Sequence, residues 1–122
     1  MFKITYCLRR LPSVSREEFH RYWREVHGPM VVKYKDLLNV RRYVQKHAPP
    51  PGAVPRLDKM RGTSDPFEGT AELWYDNVAS YEAPLATPAG MAAAKELAED
   101  GRVIIDMSRT LVIFGEEEPF VS

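Results

Sequence analysis

The chain has 122 residues, enough for one domain with one core and too few for two, and at this size neither a metal nor a disulfide is needed to hold a fold. Lys plus Arg and Asp plus Glu stand at 17 each, so no net field gathers nucleic acid or anionic lipid, and neither is expected as a partner. No apolar run approaches the roughly 20 residues that span a bilayer, the opening Met-Phe-Lys-Ile-Thr-Tyr lacks a signal-peptide layout, and the lone Cys7 forms no internal bridge, so a cytoplasmic, reducing setting is the expectation.

Phe2, Ile4, Tyr6 and Leu8 alternate with Lys3, Thr5, Cys7 and Arg9, a period of two that predicts a strand. Pro12 and Ser13 turn the chain. Ser15, with Glu18 three residues on, forms a capping-box pattern in which hydroxyl and carboxylate each satisfy an orphan amide at a helix start. Phe19, Tyr22, Trp23, Val26 and Met30 then recur at helical steps and give the helix one apolar, aromatic face. The pattern predicts that this helix stops at His27, beside Gly28-Pro29, with a kink or break there and a short restart from Met30 to Leu38.

Val40 to His47 alternates again as a second strand, with Val40, Arg42 and Val44 on one side and Arg41, Tyr43, Gln45 and His47 on the other. Residues 48–66 carry Pro49, Pro50, Pro51, Pro55 and Pro66 as well as Gly52 and Gly62. They predict a long irregular connection of the kind that serves as a binding lid or stays disordered. Gly69 to Asp76 is the third strand, with Glu72 and Trp74 opposite Leu73 and Tyr75. After a cap at Asp76 or Asn77, helical pattern runs from Val78 to Ala86, is broken by Pro84 and Pro88, and resumes from Ala89 to Glu99 before Gly101. Val103 to Phe114 is the last strand, and residues 115–122, with Glu116, Glu117 and Glu118, are a solvated acidic tail.

Strand, helix, strand, strand, helix, strand is the ferredoxin-like order, an α+β plan with an antiparallel four-stranded sheet and both helices on one face. The other face must be polar or covered by a partner. Sizeable apolar groups lie on both phases, Tyr43, Trp74, Val112 and Phe114 on one and Val44, Leu73, Tyr75, Leu111 and Ile113 on the other. A second copy of the chain is the simplest cover, so a homodimer is expected.

Ser15 to Trp23 together with His27-Gly28-Pro29 closely resembles the signature helix of the EthD family. Tyr43-Val-Gln-Lys-His47, Phe67-Glu-Gly-Thr-Ala-Glu-Leu-Trp74 and Ile105-Asp106-Met-Ser-Arg-Thr110 resemble that family's second, third and fourth strands, in order. The resemblance implies a single EthD-like domain over residues 1–122, a dimeric α+β barrel with a pocket between each sheet and its helices. It also implies chemistry without cofactors. The family's enzymes resemble polyketide cyclases, decarboxylases and methylmuconolactone isomerases, while its proteins of ether degradation have no settled role.

Imidazole is the side chain best poised to move protons near neutral pH, which singles out His27 and His47. His27 follows Trp23 by one turn and stands next to Gly28, which leaves room for a ligand. A helix C-terminus there favours its charged form and burial opposes it. His47 ends a strand just before the long loop, a place where site residues gather. His20 lies about 10 Å up the helix from His27, by the 1.5 Å rise per residue, and reads as a structural residue at the helix surface. Asp106 and Glu72, carboxylates in apolar strands, orient a histidine or pair with Arg9, Arg10, Arg41, Arg42 or Arg109. Tyr22, Trp23 and Trp74 offer flat surfaces to an aromatic substrate, with Glu72 beside them. Cys7 reads as a small strand residue. Beyond a gathering of His27, His47 and Asp106 the sequence has no set of metal ligands, and it lacks a phosphate-binding glycine loop, so no metal or cofactor is expected.

The reading is a lyase or isomerase, of decarboxylase, dehydratase or cyclase type, acting on a small aromatic, polyketide-like or lactone compound. His27 and His47 move protons and Asp106 assists through water. It requires the two imidazoles to converge in one apolar hollow. Its rivals are a non-catalytic carrier of a hydrophobic catabolic intermediate and a cofactor-free monooxygenase.

Overall fold

The computed structural model describes residues 1–60 and 66–122. Four strands, β1 (Phe2–Leu8), β2 (Arg42–His47), β3 (Gly69–Tyr75) and β4 (Leu111–Glu116), form one antiparallel sheet in the order β2-β3-β1-β4, the ferredoxin-like arrangement. Register pairs Phe2 with Tyr75, Ile4 with Leu73 and Phe114, and Tyr43 with Leu73. These residues, with Tyr6 and Leu8, point to the face that carries the helices. Lys3, Thr5, Cys7, Glu72, Trp74, Arg42, Val44, Leu111 and Ile113 occupy the open face. Trp74 therefore shares its face with Val44, and Leu73 and Tyr75 share theirs with Tyr43, a grouping that alternation within single strands does not reveal because register alone decides it.

The helical layer contains α1 (Arg16–Tyr22), α2 (Gly28–Tyr34), α3 (Pro55–Met60), α4 (Val78–Glu82) and α5 (Pro88–Gly101). Ser15 caps α1 by accepting from the Glu18 amide at 3.1 Å, while the Glu18 carboxylate turns to Arg21 instead of closing the box. Asn77 and Thr87 cap α4 and α5 in the same way. One core gathers Leu8, Phe19, Trp23, Ile104 and Ile105, and a second joins Phe2, Ile4 and Tyr75.

Three expectations change. The helix does not end at His27, because Trp23–His27 form a π-helical turn that joins α1 to α2 with helical backbone at both His27 and Gly28. The Pro29 ring would strike the carbonyl four residues back in a plain α-helix, and a wider turn relieves that clash. The Gly28 amide reaches back five residues to the Trp23 carbonyl, so His27 sits mid-helix and no helix terminus acts on it. The proline-rich connection contains α3, where Pro55 occupies the first turn, a position that needs no amide hydrogen. Arg61 to Asp65, part of the same expected loop, lie outside the described residues.

The last strand starts at Leu111 instead of Val103. The Ile104 and Ile105 amides both donate back to the Gly101 carbonyl in a turn that buries the two side chains, and Asp106 caps a 3-10 turn at Met107–Arg109. β4 extends through Glu116 into the expected tail, and Glu117 accepts from the Trp74 indole at 2.6 Å.

Candidate functional site

Between the sheet and the helices lies a cavity of about 350 Å³. Tyr6 and Leu8 from β1, Tyr43 from β2 and Leu73 and Tyr75 from β3 form its floor, while Trp23, His27, Val31, Tyr81, Leu97 and Gly101 contribute to its roof and walls. Among the described residues, His27 is the only histidine lining it, and no Lys, Arg, Asp or Glu lines it.

The π-helical turn and α5 meet so that the His27 Nδ1–H donates to Asp100 Oδ2 at 2.8 Å. The other carboxylate oxygen, Oδ1, accepts from the Tyr22 hydroxyl at 2.6 Å, a bond that pushes the Tyr22 phenol up to about 12. A carboxylate only accepts, so this bond fixes the Nδ1–H tautomer and leaves the Nε2 lone pair of neutral His27 uncommitted. Asp100 and His27 are both mostly buried, at 11% and 14% side-chain exposure, where such a bond is stronger than at the surface.

His47 is not among the cavity's lining residues, and the two imidazoles do not converge in one hollow. Its ring lies against Trp23, 4.3 Å between centroids, and Trp23 reaches the cavity. His47 Nδ1 is 2.6 Å from His20 Nδ1, so one ring donates and the other accepts, and His20 Nε2 lies 3.0 Å from Glu68 Oε1. His20 is buried in this cluster, bonded to His47 and Glu68 with its ring against His47. His47 Nε2 meets Gln45 Oε1 at 2.7 Å, and the Gln45 amide donates to the Trp23 carbonyl at 2.8 Å and to the Tyr43 hydroxyl at 2.9 Å. A Cβ at position 28 would stand 3.0 Å from Gln45 Nε2, so glycine leaves room for this bridge. Burial chiefly, then charge on His20, Arg24 and Arg16, lowers His47 to about 4. Burial also lowers His20, with the Glu68 hydrogen bond opposing.

Among the described residues no hydrogen bond joins Asp106 to His27 or His47. Asp106 accepts from the Ser108 amide and hydroxyl and lies 3.7 Å from Arg109. Glu72 and Trp74 lie on the open face, Glu72 bonded to Lys3 at 2.8 Å and to Thr70, with Lys46 at 3.6 Å, and Trp74 beneath Lys3 and Arg42. Lysines rather than the expected arginines pair with Glu72. Of the expected substrate-binding residues, Trp23 lines the cavity and Tyr22 supports Asp100 from behind. Among the described residues, no group of three metal-ligating side chains is assembled. Asp100, Tyr43, Tyr6, Tyr75 and Tyr81 were not singled out by sequence. Tyr6, Tyr43 and Tyr75 were visible only as residues of expected strands and Tyr81 as one of the expected helix 78–86, while Asp100 fell just past the expected helix 89–99.

An antiparallel four-stranded sheet, helices on one face and a His–Asp pair in an apolar cavity between them define an α+β protein of ferredoxin-like topology with an interlayer site. The EthD domain model matches residues 11–108, and the chain belongs to the EthD family. It is similar in structure to an EthD family protein from Bacillus halodurans (20% identity, 97% of this chain and 99% of that one, TM-score 0.60). The protein At3g17210 from Arabidopsis thaliana (14%, both chains fully covered, TM-score 0.62) and HapK from Hahella chejuensis (13%, 100% and 99%, TM-score 0.60) share the fold as well. No curated protein matches the chain.

Proposed function

We propose that this chain is a proton-transfer enzyme of the lyase or isomerase kind, acting on a small uncharged aromatic, polyketide-like or lactone compound through its own side chains. The observation that carries the reading is the His27–Asp100 pair at the wall of an otherwise uncharged cavity. His27 Nε2 takes a proton from a carbon next to a carbonyl, the C–H electron pair moves into an enolate, and the imidazolium returns the proton to the same or a conjugated carbon. Asp100 stabilises the imidazolium and keeps the ring oriented. His47 acts here as a positioning residue, packing on Trp23 and bracing Gln45, and Asp106 as a local cap.

The reading includes a homodimer. Leu111 and Ile113 on the open face are more than half exposed, an apolar strand that a second copy would cover. Among the described residues no helix is long and apolar enough to cross a membrane. Incubation with small ketones and lactones in D2O tests the enzymatic reading: deuterium incorporation or conversion supports it, whereas return of every bound compound unlabelled and unaltered points to a carrier.

A further inference from the structure

Three tyrosines, Tyr6 from β1, Tyr75 from β3 and Tyr81 from α4, line the same cavity as His27 and pack around Phe2 and Ile4. The Tyr75 and Tyr81 rings meet edge to face with centroids 5.0 Å apart, each also against Phe2. Tyr75 is only 6% exposed. Among the described residues none of the three hydroxyls has a hydrogen-bond partner. Three neighbouring phenols thus line an apolar cavity with hydroxyls that make no bond within the chain and stay accessible, free to bond what enters it. By contrast, Tyr22 and Tyr43 are engaged by Asp100 and Gln45.

We propose that Tyr6, Tyr75 and Tyr81 form a recognition subsite for a ligand oxygen, a ketone or lactone carbonyl that becomes an enolate oxygen when its α-carbon loses a proton. This deepens the proton-transfer reading and rests on the same cavity. Phenols are suited to the task because they donate without bringing charge into an apolar space, and their bonds strengthen as the oxygen gains charge. Burial first, and then the neighbouring hydroxyls, raise Tyr6 and Tyr75, so both remain protonated donors at neutral pH. The absence of Lys and Arg from the lining, among the described residues, argues against a carboxylate or phosphate as ligand. The ligand class is thus an uncharged carbonyl compound on an apolar, ring-bearing frame.

The test compares three probes of one shape, 2-tetralone, tetralin and tetralin-2-carboxylate, by NMR titration against the wild-type chain and its Tyr75→Phe, Tyr81→Phe and Tyr6→Phe variants, each checked for an unchanged melting transition. The ketone is expected to bind about tenfold more tightly than the hydrocarbon, the worth of one or two net hydrogen bonds, and the carboxylate most weakly. At least one Tyr→Phe change should erase most of the ketone preference while hydrocarbon affinity holds. Equal affinity for ketone and hydrocarbon, a preference untouched in all three variants, or no binding of any probe overturns the subsite. Deuterium exchange at the tetralone α-carbon, read in the same samples, separates the two readings: an intact ketone preference with no catalysed exchange keeps the subsite and removes proton transfer.

Discussion

His27 and Asp100 lie 73 positions apart along the chain and are joined by a 2.8 Å hydrogen bond at the wall of the cavity. Asp100→Asn removes the charge that stabilises an imidazolium and lets the ring adopt the wrong tautomer. Catalysed exchange of a bound ketone should fall about 10²–10⁴-fold with binding little changed, and Tyr22→Phe should cost less. Exchange kinetics and titration on the same samples check both, and an Asp100→Asn protein with wild-type exchange would remove Asp100 from the mechanism.

Two glycines of α5 should respond in opposite ways to alanine. At Gly101 a Cβ meets Ile105 Cδ1 at 3.5 Å and His27 Cε1 at 3.7 Å, ordinary contacts, so Gly101→Ala should stabilise by about 0.5 kcal/mol through a less flexible unfolded chain. At Gly90 a Cβ would stand 1.9 Å from the Pro84 carbonyl oxygen, and Gly90→Ala should cost about 3 kcal/mol as backbone is forced apart. Urea denaturation of the two variants gives the order directly.

Acid should weaken the fold before the carboxylates titrate. His47 is lowered from 6.5 to about 4 by burial first and by the charges of His20, Arg24 and Arg16 after it. Between those values the unfolded chain binds more protons than the native one, so stability falls as pH drops from about 6.5 to about 4 and is fully present above that range. His47→Gln should flatten this part of the profile. Thermal melts across the interval check it, and identical slopes for the two proteins would contradict the burial of the cluster.

The open sheet face should hold a second copy. Ile113 is 64% exposed and lies opposite Thr5, so Ile113→Lys costs the single chain little. It should convert a dimer to a monomer in light scattering at micromolar concentration with secondary structure unchanged.

Strand alternation in Phe2–Leu8 and Gly69–Tyr75, the Ser15 cap and the proline interruptions at Pro84 and Pro88 were legible because each is a local rule acting over a few residues. The π-helical turn was not, since Gly-Pro ordinarily marks a stop and only packing against the sheet and α5 rewards carrying the helix through it. The run Val103–Thr110 resembled a strand by composition, but Ile104 and Ile105 both turn inward and Leu11 and Arg9 take its backbone hydrogen bonds. In the site, His27 was visible as a histidine beside an aromatic turn. Its partner Asp100 was not, because no local pattern records a contact made across the whole fold. His47 was read as a second cavity residue, whereas Trp23 stands between it and the cavity and His20 takes up its ring nitrogen.

The most direct measurement is the rate of deuterium incorporation at the α-carbon of 2-tetralone in D2O, followed by NMR with wild-type protein and with folded His27→Ala. The wild type should accelerate exchange over buffer, and the variant should return to the buffer rate. A His27→Ala protein that exchanges the bound ketone as fast as wild type, or a wild type that binds it without accelerating exchange, would contradict proton transfer by His27.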